Sequence, residues 1–229
     1  MSTLLPSAVR ALVDLSESDI DWLHQLAADW QVIADLSVSD LVLWARTTSG
    51  RFVAVAHCRP STGSTVHHED VVGLRMPSSR EAVVLETLMS GQIQVAAEPL
   101  WTGATAVREE YVPVVSQGRA IAVVTRETSV GVVRGGRITH RPEEDLADAL
   151  CAMIAEGEYP IRGAAIGLRF GTPRVADGVL RLDTDGVIVY ASPNASSCFH
   201  RLGIEGEIEG IQLRSEEHTS ELQSLGAIS

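Results

Sequence analysis

The chain has 229 residues, of which 45% are hydrophobic and 21% are charged, and 30 acidic against 18 basic residues give a net charge of -12. This length accommodates one large globular domain or two small ones, and we expect two. The negative charge disfavours direct binding to nucleic acid or to an anionic membrane.

The N-terminal residues contain no basic region followed by an apolar core, and no window reaches the 18 apolar residues of a membrane span. We therefore expect a cytoplasmic protein without a membrane partner. The cysteines, Cys58, Cys151 and Cys198, are odd in number and show no CxxC spacing. This pattern predicts neither a disulfide framework nor a zinc knuckle.

Helix and strand patterns alternate in the first part of the chain. Residues 16–34 place apolar side chains on one stripe at helical spacing, which predicts an amphipathic helix. Two apolar runs, 40–46 and 51–59, flank a turn that ends at Gly50 and predict a β-hairpin buried on both faces. A second helix is predicted at 79–89, where Ser90 and Gly91 provide the stop signal.

A second hairpin is predicted from strands 111–115 and 120–125. The charged run 108–110 before it is interpreted as a solvated strand entry. Pro142 and the acidic residues after it are typical of a helix N-terminus, and Leu146 and Leu150 lie on one face of that helix. This order of elements predicts an α+β domain ending near Gly157, with helices on the faces of an antiparallel sheet.

Glycine and proline are frequent in residues 158–176, which are interpreted as a linker. Strands are then predicted at 179–182 and 187–191, on either side of an Asp-Thr-Asp-Gly turn, which is a strong hairpin signal. A short helix at 193–200 follows. The last segment, RSEEHTSELQS at 214–224, looks like the translated ligation adapter of a short-read sequencing library, and 214–229 are therefore excluded from the domain prediction.

The strand, DxDG turn, strand and YASPNA helix start resemble the opening of a PAS domain, and the preceding order of elements resembles a GAF domain. The segments LAADWQVIADLSVSDLVLW, GVLRLDTDGVIVYASPNA and HRLGI resemble the soluble sensor histidine kinases of the PdtaS family. This resemblance implies a GAF-like domain at 1–157, a linker at 158–176 and an incomplete PAS-like α+β domain at 177–213. The residues that mark the PAS opening are Asp183, Asp185, Gly186, Tyr190 and Asn194.

The resemblance also implies a function. The chain is expected to be the sensory end of a cytosolic two-component kinase, a homodimer that responds to an unidentified small molecule. In the parent protein, ATP and magnesium would support autophosphorylation of a histidine. The phosphate would then pass to a response regulator that joins a receiver to an RNA-binding antitermination domain. We expect this chain to lack the phospho-acceptor box and the ATP-binding domain, and to hold no cofactor of its own.

Two sets of candidate site residues follow. A ligand pocket is placed around Trp101, Cys58 and Tyr111, and Trp101 is the aromatic residue that lies in a Pro- and Gly-flanked loop. Cys58 with His67 and His68 is the other set, a possible metal site, although a buried strand cysteine and solvated loop histidines are the favoured interpretation. His67-His68-Glu69 also lacks the basic residue that follows a phospho-acceptor histidine.

Two alternative functions remain open. A stand-alone GAF enzyme, similar to a free methionine sulfoxide reductase, would need several cysteines in one pocket, and only Cys58 lies near the candidate pocket. A dimerising adaptor without a small ligand is the other alternative, which the sequence does not distinguish from a sensor.

Overall fold

The computed structural model describes residues 11–61, 63, 65–102, 105–130, 142–161 and 175–213. The chain divides into two compact units, residues 1–173 and 174–229. Within the described residues, no helix is long and apolar enough to cross a lipid bilayer.

The first unit contains four helices and six strands in its described residues. They are α1 (Glu17–Asp29), α2 (Gln31–Ser37), β1 (Asp40–Arg46), β2 (Phe52–Cys58), α3 (Ser78–Ser90), β3 (Gln94–Val95), β4 (Leu100–Thr102), β5 (Thr105–Ser116), β6 (Arg119–Val130) and α4 (Pro142–Glu156). The strands form an antiparallel sheet in the order β2-β1-β6-β5-β3, and β4 also pairs with β5.

The two faces of this sheet carry different helices. On one, the α3 face, Val84 joins a buried apolar cluster with Val42, Trp44, Tyr111 and Val123 of the sheet. Helix α4 packs against β5 and α2 on the other face, the α4 face, where Arg126 of β6 binds Asp148 of the helix. The predicted antiparallel sheet with helices on its faces is therefore confirmed. Both strands of the first hairpin are almost fully buried, as their apolar runs predicted.

Two predictions about element boundaries were wrong. The single helix predicted at 16–34 is two helices separated at Trp30, and the separation lets α2 reach the end of β2, where Gln31 Nε2 donates to the carbonyl of Arg59. The strands of the second hairpin are 12 residues long each, because the charged residues at 108–110 are part of the strand. Glu109 is only 2% exposed, so the charged run is not a solvated strand entry.

The second unit is small. A 3₁₀ turn (Val175–Asp177) precedes β7 (Leu180–Leu182), β8 (Ile188–Ala191) and α5 (Pro193–Arg201). The two strands form a two-stranded antiparallel sheet, and in the described part of this unit the buried core consists of Ile188, Ala191, Ala195 and Ile208. The predicted hairpin and the helix after it are present. The 214–224 segment, interpreted as an adapter, lies outside the described residues.

Candidate functional site

Three acidic residues lie side by side on the α3 face of the sheet. Asp40 of β1 is opposite Glu127 of β6, which is in turn opposite Glu109 of β5. All three side chains are at most 3% exposed. Like charges on directly paired strand positions repel, and burial strengthens the repulsion, so this row requires compensating cations or protons.

Arg80, at the start of α3, provides the first compensation. Its Nη2 lies 2.8 Å from Glu109 Oε1 and 2.6 Å from Glu127 Oε1. Its guanidinium carbon is 5.8 Å from the ring centroid of Trp44, within the range of a cation–π contact. Burial disfavours the charged guanidinium, but Glu127 and Glu109 outweigh this effect and raise the pKa of Arg80. The residue is therefore a permanent cation bridging two carboxylates.

His67, in the segment between β2 and α3, provides the second compensation. Its Nε2 lies 2.6 Å from Glu127 Oε2. The hydrogen bond with Glu127 raises the pKa of His67, although burial opposes the rise. Burial alone would raise the pKa of Glu127, but the bonds from His67 and Arg80 lower it to about 2. Glu127 is therefore ionised, and it favours a protonated imidazole at His67.

The remaining acids have their own partners. Asp40 accepts hydrogen bonds from Thr65 Oγ1 and Val66 N, both at 2.6 Å, and faces His57 Nε2 at 3.3 Å. These bonds and the interaction with His57 lower the pKa of Asp40 in spite of its burial. Glu109 accepts a short hydrogen bond from the Tyr111 hydroxyl. Burial raises the pKa of Glu109. Burial and the neighbouring Glu109 carboxylate together raise the pKa of Tyr111 to about 12.

We call this set the buried charge cluster. It consists of Asp40, His57, His67, Arg80, Glu109, Tyr111 and Glu127. Thr125 links it to the apolar core, since its Oγ1 accepts from Trp44 Nε1 at 2.9 Å and donates to Glu127 Oε1 at 2.9 Å. A network of this kind ties β1, β2, β5, β6, α3 and the 65–76 segment together. Adding or removing one charge there changes the energy of all these contacts.

The structure does not bring the predicted pocket residues together. Tyr111 belongs to the buried charge cluster on the α3 face, whereas Trp101 lies on β4 and is 69% exposed. Cys58 is on the α4 face, because it follows His57 in β2 and successive strand side chains point to opposite faces. Its Sγ lies 3.3 Å from Gln31 Oε1 of α2.

The three residues of the possible metal site are also separated. His67 is on the α3 face, Cys58 is on the α4 face, and His68 is exposed. Burial, together with the charges of Asp35 and Asp40, raises the pKa of the Cys58 thiol to about 12. In the ranges that the structure describes, no group of three or more His, Cys, Asp or Glu side chains is arranged to hold a metal ion.

The residues expected to mark a PAS opening lie in the second unit. Asp183 Oδ1 accepts from the backbone N–H groups of Asp185 and Val187, at 2.9 Å each, and Gly186 adopts a φ of +77°. Asn194 Nδ2 donates to the carbonyl of Ala176 at 3.2 Å. Tyr190 is half-buried on β8. In this unit, Asp183, Asp185, Gly186 and Asn194 shape the turn and the helix start.

Sequence reasoning did not identify most of the buried charge cluster. Asp40, Arg80, Glu109 and Glu127 were absent from the candidate site residues. One usable signal was the presence of acids inside or beside otherwise apolar strand patterns, because a buried acid requires a partner. Arg80 gave a weaker signal, since a basic residue in the first turn of a helix is mildly unfavourable with the helix dipole and a contact with acids elsewhere would offset this.

Comparison with known proteins gives consistent results. A family model described as "Histidine kinase PdtaS, GAF domain" matches residues 5–145. The chain is 37% identical over 213 residues to "Sensor histidine kinase PdtaS" of Mycobacterium tuberculosis (strain ATCC 25618 / H37Rv), and 36% identical over 202 residues to the protein of that name in Mycolicibacterium smegmatis (strain ATCC 700084 / mc(2)155). Each match covers 87% of this chain but 40% of the relative.

A solved structure described as "Sensor region of a sensor histidine kinase" superimposes with a TM-score of 0.72 and 31% identity. The match covers 96% of this chain and 80% of that one. The chain thus spans about two fifths of the length of the curated relatives, and most of the length of the solved sensor region.

Proposed function

Because this chain belongs to the GAF-domain family of the PdtaS histidine kinases, we propose that it senses a signal for a two-component kinase and regulates histidine autophosphorylation. The observation that carries the proposal is the likeness to a solved sensor region over 96% of the chain. In the parent protein, autophosphorylation would use ATP and magnesium. The phosphate would pass to a response regulator with a receiver and an RNA-binding antitermination domain.

A sensor needs two arrangements of similar energy, and a signal must favour one of them. The buried charge cluster is suited to this role because its members come from four strands, a helix and a loop segment. A change in its charge, through a bound small molecule or a proton, acts on all these elements at once. The second unit is proposed to be the beginning of a PAS-like domain, through which the first unit is connected to the kinase part.

Transmission is proposed to run through a homodimer. Helix α4 packs against β5, Asp19 of α1 pairs with Arg119 of β6, and α4 leads toward the second unit in sequence. A small shift or rotation of paired helices is a common way to pass a signal along a chain. The dimer surface is assigned to the outer sides of these helices, where Leu150 of α4 is half-buried rather than part of the core.

A chimera tests the proposal. This chain, without residues 214–229, replaces the matched region of the Mycolicibacterium smegmatis kinase, and incorporation of phosphate from labelled ATP is measured. We expect a phosphohistidine, stable to base and labile to acid, whose yield changes when the buried charge cluster is altered by Glu127→Gln. A matched control is Glu81→Gln. Glu81 also lies on α3, but its ion pair with Arg51, the residue before β2, is at the surface.

Two results would contradict the proposal. One is equal autophosphorylation by the chimera, the Glu127→Gln chimera and a kinase from which the matched region has been deleted. The other is an equal effect of Glu81→Gln and Glu127→Gln, since a change on the surface of α3 would then act as strongly as one in the cluster.

A further inference from the structure

The segment between β2 and α3 is attached to the sheet in two different ways. Residues 73–76 run along β2 and exchange backbone hydrogen bonds with it: Gly73 N to Ala54 O at 2.8 Å, Leu74 O from Ala54 N at 3.0 Å, and Met76 N to Phe52 O at 3.0 Å. Residues 65–70 do not make such backbone hydrogen bonds with β2. They are held mainly by polar groups of the buried charge cluster.

The polar attachment of residues 65–70 has two principal points. At one, Asp40 accepts from Thr65 Oγ1 and Val66 N. At the other, His67 Nε2 contacts Glu127 Oε2 at 2.6 Å, and the His67 carbonyl accepts from Arg59 Nε at 2.8 Å. Apolar contacts contribute less here, since residues 65–70 contain a single apolar side chain, Val66, which is buried. Electrostatics therefore determines how firmly the stretch is held.

The surroundings of His67 favour a positive imidazole. Every element packed around it presents a charged or titratable group: Glu127 of β6, Glu109 of β5, Asp40 of β1, His57 of β2 and Arg80 of α3. Asp70, in the same segment, lies 3.7 Å from His57 Nδ1. Three of these groups are buried carboxylates, and Arg80 is the permanent cation among them. A proton on His67 therefore offsets a buried negative charge.

We propose that His67 is a proton-dependent latch, which fastens residues 65–70 onto the α3 face when it is protonated and releases them more often when it is neutral. The neutral imidazole can still donate one hydrogen bond to Glu127, but that bond loses its charge assistance. Residues 73–76 keep their backbone bonds in both states, so the opening is confined to the polar stretch. The latch adds a regulation to the proposed sensor, and only its link to signalling rests on that proposed function.

The direction of the pH dependence follows from linkage. The hydrogen bond with Glu127 raises the pKa of His67 in the closed state above the ordinary value of 6.5. A group that binds its proton more tightly in the closed state than in the open state stabilises the closed state. This contribution is fully present at pH values below the ordinary pKa of the group. This contribution is lost as the pH rises through the higher pKa of the closed state. The latch is thus firm in acid and weakens as the pH rises above the ordinary pKa of histidine.

Hydrogen exchange of the full chain tests the latch. Protection factors of the amides at 65–70, corrected for the intrinsic pH dependence of exchange, are measured between about pH 5 and pH 8. We expect them to fall as the pH rises, by about tenfold for each unit that separates the closed and open pKa values. The amides of β8, in the second unit, serve as an internal reference whose protection should not depend on the charge of His67.

The variants are His67→Gln, which retains a donor without a titratable charge, and His68→Gln as a control at the exposed neighbouring position. His67→Gln should give low protection without pH dependence, and His68→Gln should behave as the unmodified chain. A pH-dependent fall that persists in His67→Gln would overturn the proposal. If His67→Gln also loses protection in β1, the variant is destabilised as a whole and does not test the latch. The NMR titration of the His67 ring in the unmodified chain then decides. A midpoint at or below the ordinary pKa of histidine would overturn the latch. The kinase chimera is a separate assay, so failure of either proposal is recognised independently.

Discussion

Arg80 illustrates how a single residue supports the buried charge cluster. Arg80→Met removes the guanidinium that bridges Glu109 and Glu127, and leaves two neighbouring buried carboxylates without it. Breaking a buried pair from one side costs about 3–5 kcal/mol of unfolding free energy. The loss should be smaller in acid, where protonation of the carboxylates relieves the repulsion. Urea denaturation at two pH values measures both effects.

The control for this prediction is Arg51→Met. Arg51 pairs with Glu81 at the surface, where its side chain is 49% exposed, so the change should cost about 0–1 kcal/mol. The double variant Arg80→Met/Glu109→Gln should recover part of the stability, because one of the two carboxylates becomes neutral. Equal losses for Arg80→Met and Arg51→Met would show that the cluster is not electrostatically coupled.

The three cysteines are predicted to differ in reactivity. Cys58 and Cys151 are buried, and burial raises the pKa of each thiol to about 12, whereas Cys198 is exposed. Since the thiolate is the nucleophile, Cys198 should react quickly with Ellman's reagent and the other two only on unfolding. Cys198→Ser should remove the fast phase. A fast phase that instead disappears in Cys58→Ser would revive the methionine sulfoxide reductase alternative.

Among the elements, α4 carries the prediction about dimerisation. Its buried side is formed by Leu146, Ala147, Cys151 and Ile154, which pack within the first unit. Leu150 lies outside this set, so Leu150→Asp should leave the fold intact and lower the dimer fraction in sedimentation or light scattering. Leu146→Asp, in the buried set, is the contrasting variant and should unfold the unit. A folded Leu150→Asp variant of unchanged mass would exclude this surface.

Element types were predictable from the sequence because apolar periodicity and turn residues are local signals. The Gly50 and Asp185-Gly186 turns, the Gly91 stop and the Pro142 start each mark the edge of an observed element. The extension of β5 and β6 was not predictable in this way. Their charged ends are stabilised by partners distant in sequence, such as Arg80 with Glu127 and Asp148 with Arg126.

The difference between local signals and contacts distant in sequence also explains which residues of the candidate site were predicted. Tyr111 and His67 were predicted as site residues and do belong to the cluster, but with different partners from those expected. Cys58 was grouped with His67 by its proximity in sequence, whereas strand alternation places the two on opposite faces. Which acids meet Arg80 depends on the register of β1, β6 and β5, and no local pattern specifies that register.

On the scale of the whole molecule, the two units differ greatly in their capacity to fold. The first unit encloses a six-stranded sheet between helices. Among its described residues, 175–213, the second has a two-stranded sheet and a buried core of four apolar residues, Ile188, Ala191, Ala195 and Ile208. An isolated two-stranded hairpin is marginally stable at best, and ordering each residue costs about 1–2 kcal/mol.

We therefore expect a fragment of residues 1–173 to fold alone and one of residues 174–213 to remain unfolded. The second fragment has about 40 residues, near the lower limit at which a chain without disulfides or metals sustains a core. Two-dimensional amide NMR spectra measure this directly. The first fragment should retain the dispersed signals that it gives in the full chain, while the second should give narrowly dispersed signals. A dispersed spectrum from residues 174–213 alone would contradict the prediction and show that so small a core suffices.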